Sequence, residues 1–189
     1  MSNDALMEKK WLSTSKRTSY RGRMLVTEHA VVLPDGSTAA YEVDESIPFA
    51  AATLVYDGQQ VLLTRQYRYP IDRWIFDLPG GAGDAGEEPA AAARRELEEE
   101  LGLVAHNLQL LHTFYVNPGR VAWPVHVFGC TTTSQGTASL DDPAEQVRLV
   151  RMPLRHLDEL IVAGDIVDPT LLIARTMAAA KGLLPALGG

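Results

Sequence analysis

The sequence is poor in three things, and each shortage narrows what the chain can be. Among 189 residues there is one cysteine, Cys130, so neither an internal disulfide nor a cysteine-rich zinc site can form. Cys130 stands in GCTT within an apolar run, the setting of a buried thiol rather than a nucleophile, and the chain fits a reducing compartment. Long hydrophobic runs are also lacking: nowhere do about 18 apolar residues follow one another, the length a helix needs to cross a bilayer. The first stretch, MSNDALMEKKWLSTSKRTSYRGR, has no continuous apolar region of signal-peptide length. The expectation is a cytoplasmic protein without membrane attachment. Positive charge is the third shortage, with 17 Lys and Arg against 24 Asp and Glu and a formal net charge of −7. That balance favours solubility and excludes a large phosphate-backbone footprint, so nucleic acid is not an expected partner.

What is there reads as one globular domain with an added arm. Residues up to about Thr18 are polar and mixed. Short alternating runs at Met24–Thr27 and His29–Leu33 lead into the turn signal Pro34-Asp35-Gly36, and Ser37–Val43 closes a hairpin. Phe49–Tyr56 and Gln60–Arg65 flank Asp57-Gly58 as a second, more buried hairpin. Strands are expected again at Leu108–Val116, Val125–Thr132 and Val147–Pro153, with Thr131–Pro143 as a polar loop. Leu154–Ala163 and Asp168–Leu184 have apolar residues at helical spacing, the latter opening with Asp168 as cap and Pro169 in the first helical position. There are no internal repeats. Strands, then a helix, then strands, then helices point to a mixed sheet with helices on its faces. The expected division is an arm with hairpin strands over 1–45 and a main domain over 46–189.

The most informative segment is GGAGDAGEEPAAAARRELEEELGL, Gly80–Leu103, which holds six glutamates. Pro89 suits the first turn of a helix and Gly102 the left-handed cap after its end, so a helix from about Glu88 to Leu101 is predicted. Ala90, Ala93, Leu97 and Leu101 form its apolar stripe, while Arg95, Glu96, Glu99 and Glu100 share the opposite side. Runs of glutamate on a helix are often only a solvated face. Here Glu96 and Glu100 stand one turn apart, as do Arg95 and Glu99. Carboxylates so close repel unless a charge cancels them, and a hard divalent cation with oxygen ligands, Mg²⁺ or Mn²⁺, does so while leaving positions for substrate phosphates.

The spacing carries a resemblance. Gly81, five residues, Glu87, seven residues, then Arg95-Glu96-Leu97-Glu98-Glu99-Glu100-Leu101-Gly102-Leu103 meets every fixed position of the Nudix box. The chain resembles the Nudix hydrolase superfamily, which implies an α/β/α sandwich around a mixed sheet, here with an N-terminal β-rich arm. It further implies hydrolysis of a nucleoside diphosphate linked to another group, with divalent cations and an attacking water. By that resemblance Glu96, Glu99, Glu100 and the carbonyl of Gly80 are metal ligands. Gly81, Glu87, Arg95 and Gly102 support the box, and Glu99, Glu100 or the loop residue Glu145 is the proton acceptor. Asp141 and Asp142 are nearby substitutes for Glu145.

Pro118 in YVNPGR, fifteen residues beyond Leu103, looks like the ADP-ribose pyrophosphatase subgroup. RQYRYP at Arg65–Pro70 and GDIVDPTLL at Gly164–Leu172 are similar to stretches of the same subgroup. The resemblance implies a nucleotide-sugar substrate, Arg68 as a fork on the diphosphate, and a homodimer that exchanges N-terminal strands. Trp11, Tyr20, Arg21 and Arg23 lie in that arm, and Tyr20 and Arg23 join Arg68 and Pro118 as expected substrate contacts. One departure is Tyr41, where the subgroup often has arginine before Glu-Val. Trp74 and Phe76 are read as packing residues, and His29, His112 and His126 lack metal-ligand spacing. Two other readings stay open: a house-cleaning nucleoside triphosphate pyrophosphohydrolase, or a non-catalytic Nudix module that binds ADP-ribose-like ligands.

Overall fold

The structure, a computed structural model, describes residues 9–139 and 147–188. Contacts divide the chain into two units, Met1–Ile47 with Tyr115–Trp123, and Pro48–Phe114 with Pro124–Gly189.

The first unit is a three-stranded antiparallel sheet in the order β1 (Leu12–Arg21), β2 (Leu25–Val32), β3 (Thr38–Asp44). Pro34-Asp35-Gly36 makes the turn between β2 and β3. Leu33 N donates to Ser37 O at 2.8 Å, and Asp35 Oδ1 accepts from the Ser37 amide and hydroxyl at 2.9 and 2.6 Å. These bonds hold the Asp35 carboxyl below its usual pKa, the hydroxyl contributing most. The same unit takes in the turn at Asn117–Arg120, closed by Arg120 N to Asn117 O at 2.9 Å. Tyr41 Oη donates to Gly119 O at 2.5 Å, Trp11 meets the Tyr41 ring edge-on at 5.7 Å, and Arg120 lies 5.3 Å over it. Sequence pattern assigns no strand before Met24, yet Leu12–Arg21 pairs with β2 along its whole length. All ten of its residues are exposed, so no burial period marks it; the neighbour's main chain supplies the bonds that make it a strand.

The second unit is built on a seven-stranded mixed sheet. Its path runs β12 (Arg148–Pro153), β5 (Gln60–Arg68), β4 (Phe49–Tyr56), β10 (Val125–Cys130), β9 (Gln109–Phe114), with β6 (Arg73–Asp77) on β5 and β7 (Gly80–Gly83) on β4. Only β4 and β10 run parallel among these pairs. A small ribbon pairs β8 (Leu103–Ala105) with β11 (Thr133–Gln135), so the stretch read as a polar loop contains a strand. Its three residues take their structure from β8, not from a pattern of their own.

Helices cover both faces of the sheet. α1 (Pro89–Leu101) lays Ala92, Ala93, Leu97 and Leu101 on Phe49, Ala51, Val55 and Phe128. Ala92, absent from the expected stripe, is fully buried, and Ala90 is half-buried at the stripe's edge. Burying Leu97 completely stabilises the fold by roughly 2 kcal/mol. The helix ends where Gly102 turns left-handed at φ 62° and its amide returns to Glu98 O at 2.8 Å. On the other face, Gly129, the neighbour of Phe128, is turned toward Leu183, which follows α3 (Pro169–Ala180). Alternation along β10 thus separates α1 from the C-terminal helix, giving the α/β/α sandwich. α2 (Leu154–Ala163) packs on β12.

Between α2 and α3 sits a buried ion pair. Arg175 is 1% exposed and donates to both oxygens of Asp158 at 2.7 Å; its remaining donors reach Pro185 O at 3.0 Å and Ala186 O at 3.3 Å. This side chain therefore ties the C-terminal stretch to both helices. Cys130 is buried, with its thiol near Asn107 Oδ1 and Thr132 O at 3.3 and 3.2 Å. No described helix is long and apolar enough to cross a membrane.

Candidate active site

α1 and the short strand β7 bring the box residues together. Arg95 is the hub. Its Nε and one terminal nitrogen grip Glu87 at 3.1 Å each, the same terminal nitrogen reaches Ala82 O at 3.0 Å, and the other reaches Glu96 at 2.7 Å and Glu99 at 3.2 Å. Glu87 also accepts from Asp84 N at 2.9 Å. Arg95 therefore fastens the loop before α1 to the helix face. The bond to Arg95, then that from Asp84, holds the Glu87 carboxyl below its usual range, and Glu87 in turn raises the Arg95 guanidinium further above its already high value.

The glutamates lie against glycine backbone. Gly80, paired with Ala52 in the sheet, donates its amide to Glu100 Oε2 at 2.9 Å. At Gly81 a Cβ would stand 2.7 Å from the Glu96 carboxyl carbon; only a residue without a side chain leaves that space beside the carboxylate open. Among the described residues no three Asp, Glu, His or Cys side chains converge on a common point. Glu96 and Glu99 are drawn to Arg95 and Glu100 to Gly80. The donor set nevertheless suits a hard divalent cation: carboxylate oxygens one turn apart, beside a cradle that a Cβ would fill. Glu145, Asp141 and Asp142 lie outside the described residues.

Arg68 ends β5. Its guanidinium donates to Asp77, and its side chain is 49% exposed. Asp77 is buried, with its other oxygen accepting from Leu78 N at 2.8 Å. Asp168 caps α3 by accepting from Leu171 N at 2.7 Å, and burial, with the charge of Asp77 next, pushes its carboxyl up to about 6. Sequence reading singles out Asp168 only as a cap and passes over Asp77. The signal available was an acid within FDLPGG and another within GDIVDP, but their proximity is tertiary.

The remaining expectations fall in different places. Tyr20 lies on β1, Arg23 in the bend after it, and Pro118 in the Asn117–Arg120 turn, all in the first unit. In the second, Trp74 is 39% exposed, tilted on Tyr67 at 5.9 Å with Arg148 above it at 5.6 Å, while Phe76 lies under Arg65 at 4.3 Å. His126 meets Phe49 edge-on at 5.6 Å, and burial lowers its pKa. A hollow of about 640 Å³ beside α2, lined by Arg155, Asp158, Glu159, Val162, Ala163 and Gly188, takes no residue from α1 or β7. It lacks the site's chemistry.

Comparison with known proteins agrees with this arrangement. The model of the family "NUDIX domain" matches residues 47–168. The ADP-ribose pyrophosphatase of Bacillus subtilis is 32% identical over 140 residues, 73% of this chain and 75% of the relative. A CMP-5'-(N-acetyl-N-hydroxy-3-aminopropyl)phosphonate hydrolase of Streptomyces rubellomurinus is 33% identical over 184 residues, 95% of this chain and 83% of the relative. A solved structure described as an ADP compounds hydrolase superposes with a TM-score of 0.78 at 23% identity, covering 93% of this chain and 98% of that one, which speaks to the fold. With the box on α1 and β7, a matching family model over most of the chain and relatives spanning nearly all of it, the chain belongs to the Nudix family and is a pyrophosphatase-type Nudix hydrolase.

Proposed function

We propose that the protein hydrolyses the diphosphate linkage of ADP-ribose or a related nucleoside diphosphate sugar, releasing a nucleoside monophosphate and a sugar phosphate. The observation that carries this reading is the glutamate face of α1 held against Gly80 and Gly81 by Arg95. It has the chemistry to hold a divalent cation, and relatives named as ADP-ribose pyrophosphatases share the chain over most of its length.

Glu96, Glu99 and Glu100 are the proposed ligands of Mg²⁺, or Mn²⁺, with Gly80 beside them. When bound, the cation offsets charge on the phosphoryl oxygens and makes a neighbouring water more acidic. The protein's own part is to orient and to move a proton. Arg95 sets the carboxylate directions, and Glu99, Glu100 or Glu145 accepts the proton of the attacking water. Arg68, with a planar fork of donors, takes the diphosphate. Pro118 shapes a turn at the substrate, and Tyr20 and Arg23 reach it from the arm of a second copy. β1 supports the dimer: it is an edge strand whose ten residues are all exposed, and a second chain covers such an edge naturally. The proposal includes a cytoplasmic location.

One observation keeps a second substrate in play. Tyr41 stands where the subgroup often has arginine, held by Trp11, Gly119 and Arg120, and the relative spanning 95% of this chain is named for a cytidine nucleotide. The test is a panel at fixed Mg²⁺ containing ADP-ribose, GDP-mannose, UDP-glucose, a CMP-linked phosphonate, a dinucleoside polyphosphate and a nucleoside triphosphate. AMP release from ADP-ribose at the highest kcat/KM supports the leading reading, while preference for the CMP compound moves the base assignment. Preference for the triphosphate overturns the substrate class.

A further inference from the structure

The pairing of β5 with β6 and with β12 has one face that the catalytic reading does not use. On β5, Leu62 packs in one cluster with Leu97 and Leu101 of α1, so alternation turns Arg68 to the α1 side and Arg65 and Tyr67 to the opposite side. Arg65 stands directly across from Phe76 of β6 and from Arg148 of β12, and Tyr67 stands across from Trp74. Residues so paired share a face. Arg65 lies 4.3 Å from the centre of the Phe76 ring, Arg148 lies 5.6 Å from that of Trp74, and Tyr67 is tilted on Trp74 at 5.9 Å. Trp74 and Tyr67 are 39% and 41% exposed and Arg148 is exposed, so this end of the face is open.

Like charges directly opposite each other on paired strands repel. Arg65 and Arg148 are such a pair, and among the described residues neither makes an ion pair or a side-chain hydrogen bond, in contrast to Arg68, Arg95 and Arg175. A ring attracts a guanidinium but gives its five donors no oxygen to bind. The rings also set a spacing. Phe76 and Trp74 are two residues apart on β6, which puts same-face neighbours about 7 Å from each other, and each carries one guanidinium. A phosphate accepting from both forks at the charge-assisted length of about 2.8 Å spans such a gap.

We propose that this face is a second binding site, for a phosphate monoester, with Arg65 and Arg148 as its two forks and Phe76 and Trp74 as the rings that hold them apart. A phosphate monoester brings between one and two negative charges and three acceptor oxygens, enough to cancel the repulsion of the two guanidinium groups and to serve both. The ligand is small, because a net charge of −7 opposes a long phosphate backbone. Asp72, the acid at the end of the β5–β6 hairpin, is engaged by the Tyr67 hydroxyl, which donates to it at 2.5 Å, and it lies beyond the Tyr67 and Trp74 row. The reaction proposed above releases two phosphate monoesters, so ligands of this class are at hand wherever the enzyme turns over. The site itself stands on the arginines and not on that reading. Binding makes and breaks no covalent bond.

The experiment is calorimetric titration of the metal-free protein with inorganic phosphate, ribose 5-phosphate and AMP, in a buffer without phosphate or sulfate. Wild type is compared with Arg65→Gln, Arg148→Gln and Arg68→Lys, and tryptophan fluorescence is followed with Trp74→Phe as control. The expected result is half-saturation below about 1 mM, a fluorescence change that Trp74→Phe abolishes, and affinity at least about tenfold weaker in both Gln variants but kept in Arg68→Lys. Equal binding of the three ligands supports a site for the phosphate alone, and tighter binding of AMP supports one in which the base also meets the exposed rings. Half-saturation above about 1 mM for all three, binding unchanged in both Gln variants, or binding lost in Arg68→Lys instead, overturns the site. Sedimentation velocity adds one more such outcome: an oligomer that dissociates in Arg148→Gln, with no phosphate bound by wild type, gives the face to a second copy. None of these results bears on turnover of the substrate panel, so the two readings fail separately.

Discussion

Arg95 grips both oxygens of Glu87, eight positions earlier in the chain, at 3.1 Å each, and from the same fork reaches Glu96 and Glu99. One planar side chain therefore sets the geometry of the loop entering α1 and of two carboxylates on it, a job that lysine's point charge cannot repeat. Arg95→Lys is expected to lower stability by about 1–2 kcal/mol through lost charge-assisted bonds, and to lower kcat more than it raises KM. Urea unfolding and steady-state kinetics measure the two effects.

The same pair gives a pH signature. Glu87 is depressed below its usual pKa, chiefly by Arg95. Its contribution is thus present above the unfolded carboxylate value and is lost as pH falls through the lower folded value. Wild-type urea midpoints are expected to fall more steeply below about pH 4.5 than those of Glu87→Gln, since 4.5 is the ordinary glutamate value. Parallel curves would remove Glu87 from the account.

Gly81→Ala places a methyl group 2.7 Å from the Glu96 carboxyl carbon. The glutamate end can swing aside, so the expected loss is in activity and cation affinity more than in fold. A melting temperature within a few degrees of wild type, with kcat/KM lower by about tenfold or more, is the anticipated pattern for a displaced charged group.

Arg175 and Asp158 behave differently because they are buried. Removing one partner alone, as in Arg175→Met, strands a charge and is expected to cost about 3–5 kcal/mol, whereas replacing both by apolar residues costs much less. A double-mutant cycle by urea unfolding tests this. Limited proteolysis is expected to cut the stretch after α3 sooner in Arg175→Met, because Pro185 and Ala186 lose the donor that holds their carbonyls.

How much of this was legible beforehand depended on whether the cause was local. α1 was readable because Pro89 and Gly102 mark its ends and the box spacing fixes its charged face, and α3 because Asp168 and Pro169 open it. β1 was invisible: Leu12–Arg21 has no buried side, and only pairing with β2 makes it a strand. β7 and β11 were missed for a related cause, since GGAG and TSQ carry turn-type residues whose extended form is imposed by β4 and β8, and β6, the five residues RWIFD, is too short to show a period before its pairing with β5. At the site, the spacing of the α1 glutamates, and the family resemblance it carries, put Glu96 and Glu99 on one helix face with Arg95, where the structure has them. The contact of Arg68 with Asp77 is made by the pairing of β5 with β6, and the charge of Asp77 that helps raise Asp168 reaches it only through the fold. No pattern in one segment could announce it.

The most direct measurement of the central claim is hydrolysis of ADP-ribose by wild type and Glu100→Gln, with AMP and ribose 5-phosphate quantified while the divalent cation is titrated from zero. Circular dichroism establishes that both proteins are folded. The account predicts cation-dependent release of both products by the wild type, and a kcat lower by at least about a hundredfold in the variant, the scale on which removing a group that acts on the transition state is felt. Full activity in folded Glu100→Gln, or equal activity without any divalent cation, would contradict it.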